Sequence, residues 1–317
     1  MSLKIVFMGT PAFAVPSLAI LLENGYDIVG VITAPDKYGG RGKKQLISSH
    51  VKKYAVEKGL NLLQPTNLKD PDFQANLKAL EVDLQVVVAF RMLPVAVWDM
   101  PKIGTFNLHG SLLPKYRGAA PIHWAVINGE TETGVTSFFL KHKIDTGDML
   151  RQAKMPIGED ETTGEVHDRM MTIAAQVVLE TVQSIERNDY TTTPQDETLV
   201  SSAPKIFTST CEINFDQATA KIHNFIRGLN PFPTAWTTFK GKKLKIFRAT
   251  KEITSHSHPV GEFFLVDNKA VKVSTPDGFI QLLEVQYEGR KRMPIKDFLN
   301  GMQQTDFLIK NSEENIN

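Results

Sequence analysis

The sequence predicts an α/β domain with a mostly parallel sheet, followed by a smaller domain of short antiparallel strands. In the first half of the chain, short apolar runs alternate with helical patterns, as they do in strands joined by crossover helices. Beyond residue 204, short strand patterns separated by Gly, Pro or Asp-Gly turns replace this alternation. The length of 317 residues is also that of about two domains.

The first domain is predicted to alternate strands and helices along the chain. The strand patterns are short apolar runs at residues 4–8, 26–33, 60–63, 84–90, 105–109 and 135–140. The helical patterns have an apolar period of about 3.6 residues and lie at residues 15–24, 48–58, 73–80, 120–127 and 162–185. Ser48 or Ser49 is expected to cap the second helix, since a serine hydroxyl accepts from the free N–H groups of a helix start.

The second domain begins after a change in composition. Residues 190–203 are rich in Thr, Ser, Pro and charge and have no sustained apolar period, which is typical of a linker. Strand patterns then lie at residues 243–248, 262–266, 270–274 and 279–285, and short strands of this kind close most naturally into a small barrel. We therefore expect domains at residues 1–189 and 207–310, a linker at 190–206 and a tail at 311–317.

Composition excludes several classes of protein. With 42% hydrophobic and 22% charged residues, the chain is typical of an ordinary globular protein rather than a disordered or fibrous one. Its single cysteine, Cys211, excludes an internal disulfide and a cysteine-rich zinc site. The apolar stretch at residues 12–22 is shorter than the roughly 20 residues that a membrane-spanning helix needs. A strand pattern starts at residue 4 and leaves no room for a targeting peptide, so we expect a cytoplasmic protein without a membrane partner.

Charge is distributed unevenly between the two predicted domains. The chain has 36 basic and 35 acidic side chains, a net charge of +1. Residues 205–317 hold 16 basic and 12 acidic side chains, which leaves 20 and 23 for residues 1–204, so the net charges are +4 and −3. The first domain nevertheless has a basic, glycine-rich loop that contains Arg41, Lys43 and Lys44. A basic loop of this kind suits a phosphate backbone.

Three polar side chains are candidates for chemistry. Asn107 and His109 are two residues apart on a predicted strand, so they share a face, and they lie at its carboxyl end, where open α/β sheets bind ligands. Asp145 follows the next predicted strand and is expected to reach the same end of the sheet. An amide beside an imidazole suits an oxyanion, and a nearby carboxylate fixes the tautomer of the imidazole and favours its charged form. With no nucleophile among them, this trio indicates direct transfer between two bound substrates.

Other kinds of site are disfavoured. Residues 9–14 follow a strand and precede a helix, as a dinucleotide fingerprint does, but two of the three glycine positions of that fingerprint are not glycine. Pro11 and Phe13 also leave little space for a pyrophosphate. The histidines fit no short zinc spacing, so no metal is expected. Ser111 lacks the Gly-x-Ser-x-Gly turn of a serine hydrolase.

Several segments resemble a known enzyme family. Residues 107–114 (Asn-Leu-His-Gly-Ser-Leu-Leu-Pro), 116–122 (Tyr-Arg-Gly-Ala-Ala-Pro-Ile) and 145–148 (Asp-Thr-Gly-Asp) are similar to the signature of the formyltransferases that use 10-formyltetrahydrofolate. The resemblance extends to residues 8–14, 40–44, 195–197, 230–233 and Trp236, and is greatest to the members that formylate methionyl initiator tRNA. One departure is Ala89-Phe90-Arg91, where relatives commonly have Ala-Tyr-Gly beside the expected pterin pocket.

The resemblance implies a Rossmann-like catalytic domain and an OB-like domain that helps to hold tRNA, and we expect a monomer. It implies catalytic roles for Asn107, His109 and Asp145, with 10-formyltetrahydrofolate as the co-substrate and no metal. By the same resemblance, tetrahydrofolate is bound by Ser111, Leu112, Leu113 and Pro114, and tRNA by Arg41, Lys43, Lys44 and Lys205.

The same trio would serve related activities. Formylation of an amino sugar nucleotide and hydrolysis of 10-formyltetrahydrofolate remain alternatives, as does a tRNA-binding module without activity. The basic loop and the basic second domain favour a polyanionic substrate.

Overall fold

The computed structural model describes residues 3–39, 42 and 44–310. The chain divides into two compact units. Unit 1 comprises Met1–Pro121, Thr133–Met155 and His167–Ala203, and unit 2 comprises Ile122–Glu132, Pro156–Val166 and Pro204–Asn317. Two short insertions of the first half therefore belong to unit 2 together with the C-terminal region.

The first half of the chain contains nine strands in its described residues. They are β1 (Lys4–Gly9), β2 (Asp27–Ile32), β3 (Lys37–Gly39), β4 (Gln45–Ile47), β5 (Leu62–Leu63), β6 (Leu84–Val88), β7 (Gly104–His109), β8 (Glu132–Phe139) and β9 (Met149–Pro156). The helices are α1 (Val15–Glu23), α2 (His50–Glu57), α3 (Pro71–Ala79), α4 (Val95–Trp98), α5 (Pro121–Ile127) and α6 (Thr163–Glu186).

Seven of these strands form one sheet in the order β5-β2-β1-β6-β7-β8-β9. The pairings from β5 to β7 are parallel, whereas β8 runs antiparallel to β7. All five residues of β6 are buried, as expected for a central strand covered on both faces. The predicted α/β fold with a mostly parallel sheet is confirmed.

Local sequence explains where two of the helices begin. The hydroxyl of Ser49 accepts from the backbone N–H of Lys52 at 2.9 Å, which confirms one of the two predicted caps of α2. Asp70 caps α3 by accepting from Asp72 N, and Pro71 takes the first helical position, where no N–H is needed.

Unit 2 is built mainly from the C-terminal elements. These are α7 (Thr219–Gly228), β10 (Ala235–Phe239), β11 (Lys242–Ile253), β12 (Phe263–Val266), β13 (Ala270–Thr275), β14 (Gly278–Tyr287), β15 (Met293–Pro294), α8 (Ile295–Leu299) and β16 (Leu308–Lys310). The sheet order is β10-β11-β14-β13-β12-β16, and its pairings are antiparallel except for that of β12 with β16. Its core contains Ile222 and Ile226 of α7 packed with apolar residues of the sheet. The expected antiparallel second domain is confirmed.

A capping box begins α6 within unit 2. Glu165 accepts from Thr162 N at 2.8 Å, and Glu165 N donates to the Thr162 hydroxyl at 3.4 Å. Arg248 of β11 also donates to the Glu165 carboxylate at 2.6 Å. Burial alone would raise the pKa of Glu165, but the hydrogen bonds from Thr162 and Arg248 lower it to about 2.

Some elements are absent from the sequence predictions. The strand β9 is an edge strand whose residues are largely exposed or half-buried, so it has no clear apolar period. The hairpin of β3 and β4 lies in the basic loop predicted without secondary structure. No helix of the described residues has an apolar stretch long enough to span a bilayer.

Candidate active site

Two of the predicted catalytic residues lie at the carboxyl end of β7. Asn107 pairs with Val87 of β6, and His109, the last residue of β7, pairs with Thr136 of β8. Because successive side chains of a strand alternate, Asn107 and His109 project from the same face. The imidazole is buried, whereas Asn107 is half-buried.

A backbone carbonyl sets the orientation of the imidazole. The Nε2 atom of His109 lies 2.8 Å from the carbonyl oxygen of Tyr116, which accepts a hydrogen bond and cannot donate one. Nε2 therefore carries a hydrogen, and Nδ1 is the atom that can take up or release a proton. Tyr116 has a φ of +61°, a backbone conformation that is uncommon for a residue with a side chain.

Asp145 faces this second nitrogen. Its Oδ2 atom lies 3.9 Å from His109 Nδ1, and the two side chains are 13% and 7% exposed. The same oxygen accepts from the backbone N–H of Gly118 at 2.9 Å. The carboxylate is thus held by Gly118, while its distance from Nδ1 exceeds that of a direct hydrogen bond.

The route by which Asp145 arrives differs from the prediction. From the sequence, the strand before Asp145 is expected to end at the same edge as β7. In the structure, β8 is antiparallel, and its last residue, Phe139, pairs with Phe106 near the middle of β7. The loop after β8 therefore has to return toward His109. Asp145 lies in this loop with a φ of +53°, a conformation that Asp tolerates better than most residues.

Asn107 differs from His109 and Asp145 in its contacts. In the described part of the chain, its side-chain amide makes no hydrogen bond. A half-buried amide beside the imidazole is therefore free to donate to a ligand oxygen. An amide and an imidazolium on one face of a strand end are suited to stabilise negative charge that develops on a carbonyl oxygen.

Residues 111–114, predicted to bind tetrahydrofolate, form a loop that is fixed from the sheet side. Thr136 donates to Ser111 O at 2.7 Å and accepts from Leu113 N at 3.0 Å. Gln152 of β9 donates to Leu113 O at 2.8 Å. Ser111, Leu113 and Pro114 are buried and Leu112 is half-buried, so Leu112 is the residue of this loop with the most surface open to a ligand.

Several residues near the site received no role from the sequence argument. Gly118 holds the Asp145 carboxylate, and Gln195 donates to the carbonyl oxygens of Asp145 at 2.9 Å and Gly147 at 2.8 Å. Thr136 and Gln152 hold the 111–114 loop. The sequence signal for Gly118 and Gln195 was their place in the family-like segments, but that signal does not tell what they contact.

The predicted tRNA-binding residues are described only in part. Arg41 and Lys43 lie outside the described residues, and Lys44 is exposed just before β4. Lys205 is exposed in unit 2, with its Nζ 5.4 Å from the centre of the Phe207 ring.

Lys205 belongs to a group of cationic and aromatic side chains within unit 2. Lys243 Nζ lies 3.8 Å above the Trp236 ring, and Trp236 Nε1 donates to Thr208 O at 2.8 Å. Phe207 is 54% exposed. We name the four side chains of Lys205, Phe207, Trp236 and Lys243 the basic-aromatic patch.

Possible metal ligands and Arg91 complete the description of the site. The described residues contain no group of three or more His, Cys, Asp or Glu side chains arranged to hold a metal ion. Arg91, in the segment that departs from the family pattern, donates to the carbonyl oxygens of Thr66 and Pro65. Its guanidinium thus ties the chain after β6 to the segment before α3.

Comparison with known proteins assigns the chain to a family. A formyl transferase family model matches residues 3–182, and the model of the formyl transferase C-terminal domain matches residues 205–303. The chain belongs to the formyl transferase family. Asn107, His109, Asp145 and the 111–114 loop all lie within the first match.

Relatives within the family are similar over nearly the full length. The methionyl-tRNA formyltransferase of Parabacteroides distasonis is 51% identical over 312 residues, which cover 95% of this chain and 96% of that protein. The methionyl-tRNA formyltransferase of Flavobacterium johnsoniae is 49% identical over 309 residues, which cover 96% of this chain and 98% of that protein.

Solved structures share the fold. An N-formyltransferase from Helicobacter canadensis, in complex with folinic acid and dTDP-3-aminofucose, is 23% identical with a TM-score of 0.67, over 92% of this chain and all of that chain. HypX from Aquifex aeolicus with tetrahydrofolic acid is 19% identical with a TM-score of 0.64, and this chain spans half of its length. At these identities the similarity concerns the fold alone.

Proposed function

We propose that this protein transfers the formyl group of 10-formyltetrahydrofolate to the α-amino group of methionyl initiator tRNA. Its full-length relatives at about 50% identity are named for formylation of methionyl-tRNA. The structural observation that carries the proposal is the meeting of Asp145 with His109 Nδ1, at 3.9 Å, beside the amide of Asn107. This arrangement suits acyl transfer through a charged intermediate.

The reaction requires one bond to form and one to break. The methionyl nitrogen attacks the formyl carbon, and its lone pair forms the new C–N bond while the carbonyl oxygen becomes an oxyanion. Asn107 donates to this oxyanion from its amide, and a protonated His109 donates from Nδ1. Collapse of the intermediate breaks the bond to the folate N10, and the proton of the attacking nitrogen passes to N10, so charge and atoms balance.

Asp145 has two functions in this scheme. Its carboxylate lies 3.9 Å from His109 Nδ1, where it complements the positive charge of the imidazolium that donates to the oxyanion. Because the distance is longer than a hydrogen bond, the carboxylate can also accept the proton of the attacking nitrogen. The bond from Gly118 N keeps it in this place.

Folate binding is assigned to the loop of Ser111, Leu112, Leu113 and Pro114. The bonds from Thr136 and Gln152 make this loop a fixed surface at the edge of the site. A preformed surface lowers the entropy that is lost on binding.

Binding of tRNA is assigned to Arg41, Lys43, Lys44 and Lys205. The basic-aromatic patch supports the assignment of Lys205, because exposed aromatic faces and cations together suit nucleic acid strands. The remaining proposals are that the protein acts as a monomer in the cytoplasm, that residues 1–189 carry the chemistry, and that residues 207–310 help to hold the tRNA after a linker at 190–206. The limits of the two family matches support these boundaries.

The decisive experiment measures transfer of a radiolabelled formyl group from 10-formyltetrahydrofolate to methionyl initiator tRNA. An amino sugar nucleotide and water are offered as competing acceptors. We expect formyl-methionyl-tRNA as the product. Formylation of the sugar, or release of formate without a labelled acceptor, would instead favour one of the alternative activities, and no turnover at all would favour a binding module.

Variants test the assignment of the oxyanion donors. The loss of one such donor lowers catalytic rates by about 10² to 10³-fold. We expect Asn107→Ala to lower kcat by at least that factor while leaving the affinity for tRNA nearly unchanged. A variant with a near-normal kcat would refute the role of Asn107 even if the formyl transfer itself is observed.

A further inference from the structure

The segment of residues 190–203, which we name the strap, is bonded to two loops of the site. At one end, Met149 and Thr193 exchange two backbone hydrogen bonds, of 2.8 and 2.9 Å. At the other end, Arg117 N donates to Ser201 O at 2.9 Å, and Ala203 N donates to Arg117 O at 2.7 Å. The strap therefore connects the end of the Asp145 loop with the loop that contains Gly118.

Gln195 occupies the middle of this strap and uses both ends of its amide. Its Nε2 donates to Asp145 O at 2.9 Å and to Gly147 O at 2.8 Å. Its Oε1 accepts from Arg117 Nε at 2.9 Å and from Arg117 Nη2 at 2.8 Å. One side chain thus contacts the residue before Gly118 and the backbone of Asp145 itself.

The chemistry of these partners requires an amide of this length. The guanidinium of Arg117 only donates, and the two carbonyl oxygens only accept, so the group between them needs an acceptor at one side and two donors at the other. A carboxylate has the acceptors without the donors. Asn has both but is one methylene shorter.

Arg117 is itself held in place. Its side chain is 12% exposed, and it also donates to the Glu197 carboxylate, from Nη1 at 3.2 Å and Nη2 at 2.9 Å. The hydrogen bond from Arg117 lowers the pKa of Glu197, so this acceptor is charged at neutral pH. Two residues of the strap, Gln195 and Glu197, therefore bond the guanidinium of Arg117. The bonds to Glu197 hold the guanidinium in place as a partner for Gln195.

These contacts determine where the Asp145 carboxylate lies. Asp145 is fixed at two points, by Gly118 N at its carboxylate and by Gln195 at its carbonyl oxygen. Gln195 bonds Asp145 directly, and its bonds to the Arg117 side chain act together with the backbone bonds from Ser201 and Ala203 to hold the residue before Gly118. We propose that Gln195 is a positioning residue for the transfer reaction, which sets the placement of Asp145 against His109. This inference rests on the catalytic role of Asp145 in the proposed function.

The test compares Gln195→Glu with a matched control in the same segment. Glu keeps the length and the acceptors for Arg117, but it faces the carbonyl oxygens of Asp145 and Gly147 without donors. The control is Asp196→Asn, because Asp196 is exposed and, among the described residues, its Oδ1 accepts only from Thr198 of its own turn, a contact that Asn preserves.

We expect Gln195→Glu to lower kcat by about 10²-fold, as a misplacement of about 1 Å in a catalytic group does. The KM values for tRNA and for 10-formyltetrahydrofolate should change less than about threefold, because the substrate contacts are retained. Loss of the two bonds to Asp145 O and Gly147 O should lower the melting temperature by a few degrees, so kcat is determined on the folded fraction, and Asp196→Asn should keep kcat within about twofold. A residue with a purely structural role would lower the melting temperature and leave the kcat of the folded protein unchanged.

A double-mutant cycle decides whether Gln195 acts through Asp145. In an Asp145→Asn background, Gln195→Glu should cost less than about threefold in kcat, since there is no catalytic carboxylate left to position. Independent, multiplying losses would overturn the proposal, and so would a normal kcat in Gln195→Glu alone. If Asp145→Asn itself is fully active, the proposed mechanism fails and the positioning role falls with it, whereas an impaired Asp145→Asn beside a fully active Gln195→Glu overturns the positioning role alone. Should Gln195→Glu not fold, Arg117→Lys, which keeps the charge but loses the two-pronged contact, is put through the same cycle with the same expected non-additivity.

Discussion

Replacing Gly147 with alanine is expected to displace the loop that carries Asp145. A Cβ at this position would lie 1.6 Å from the carbonyl oxygen of Phe139 and 2.8 Å from its carbonyl carbon. Since real Cβ atoms keep at least 3.0 Å from such atoms, the two backbones must separate by about 1.4 Å. Phe139 belongs to β8 of the seven-stranded sheet, so we expect the loop to move rather than the strand.

A shift of about 1.4 Å is large enough to break the contacts that place the Asp145 carboxylate. The bond from Gly118 N to Asp145 is 2.9 Å long, and the carboxylate lies 3.9 Å from His109 Nδ1. A displacement of about 1 Å in a catalytic group lowers rates by about 10²-fold. We therefore expect Gly147→Ala to lower kcat by about this factor. The KM for tRNA should change much less, because neither Gly147 nor Asp145 is among the residues assigned to phosphate contact.

The assay is steady-state formyl transfer, with the folded fraction of each variant determined by circular dichroism. Gly59→Ala is the control, since its φ of +65° makes any side chain unfavourable while an added Cβ meets no heavy atom within 4 Å. This control should lose about 1 kcal/mol of stability and keep its kcat. A folded Gly147→Ala protein with kcat within about threefold of the unsubstituted protein would refute the link between loop position and catalysis.

Three further predictions concern stability and tRNA. The pKa of Glu165 is lowered to about 2 in the folded protein, from a usual value of about 4.5. Its contribution to the free energy of unfolding is therefore full above about pH 4.5 and is lost as the pH falls toward 2. Glu165→Gln should remove about 1 kcal/mol at neutral pH, a small value because the side chain is half exposed, and urea unfolding between pH 7 and pH 3 should show the two proteins converging. Burial lowers the pKa of His223 from its ordinary value of 6.5, so the free energy of unfolding should fall as the pH drops below about 6.5. His223→Gln should flatten this pH dependence, which urea unfolding at a series of pH values measures. Equal slopes of unfolding free energy against pH in the two proteins would contradict the prediction. Lys205→Ala should reduce the slope of log affinity for tRNA against log salt by about one if this lysine contacts a phosphate, and an unchanged slope would argue against that contact.

The strands of the central sheet could be predicted because burial on both faces leaves a continuous apolar run, as at residues 84–88. The cap at Ser49 could be predicted because its cause is local, a hydroxyl three residues before the N–H that it accepts from. In contrast, β9 has polar, exposed positions along its length and could not be distinguished from a loop. Its place at the sheet edge is a consequence of packing.

The candidate active site also has one part that the sequence predicts and one part that depends on the tertiary structure. The pairing of Asn107 with His109 on one face follows from the alternation of side chains along a strand, which is a property of the sequence. The approach of Asp145 does not, because β8 is antiparallel and a loop has to bring the carboxylate back. The expected proximity was reached by a route that the sequence argument did not foresee.

By itself, the sequence determined the order of the elements, the change from a parallel to an antiparallel domain, and the side chains available for chemistry. Only the tertiary structure decided which atoms meet. Gln195 bonds Asp145 across 50 residues and Arg117 across 78 residues. Contacts to backbone atoms at such separations depend on how the loops fold. Every residue has the same carbonyl oxygen, so the residue type does not show which backbone atom a distant side chain will contact.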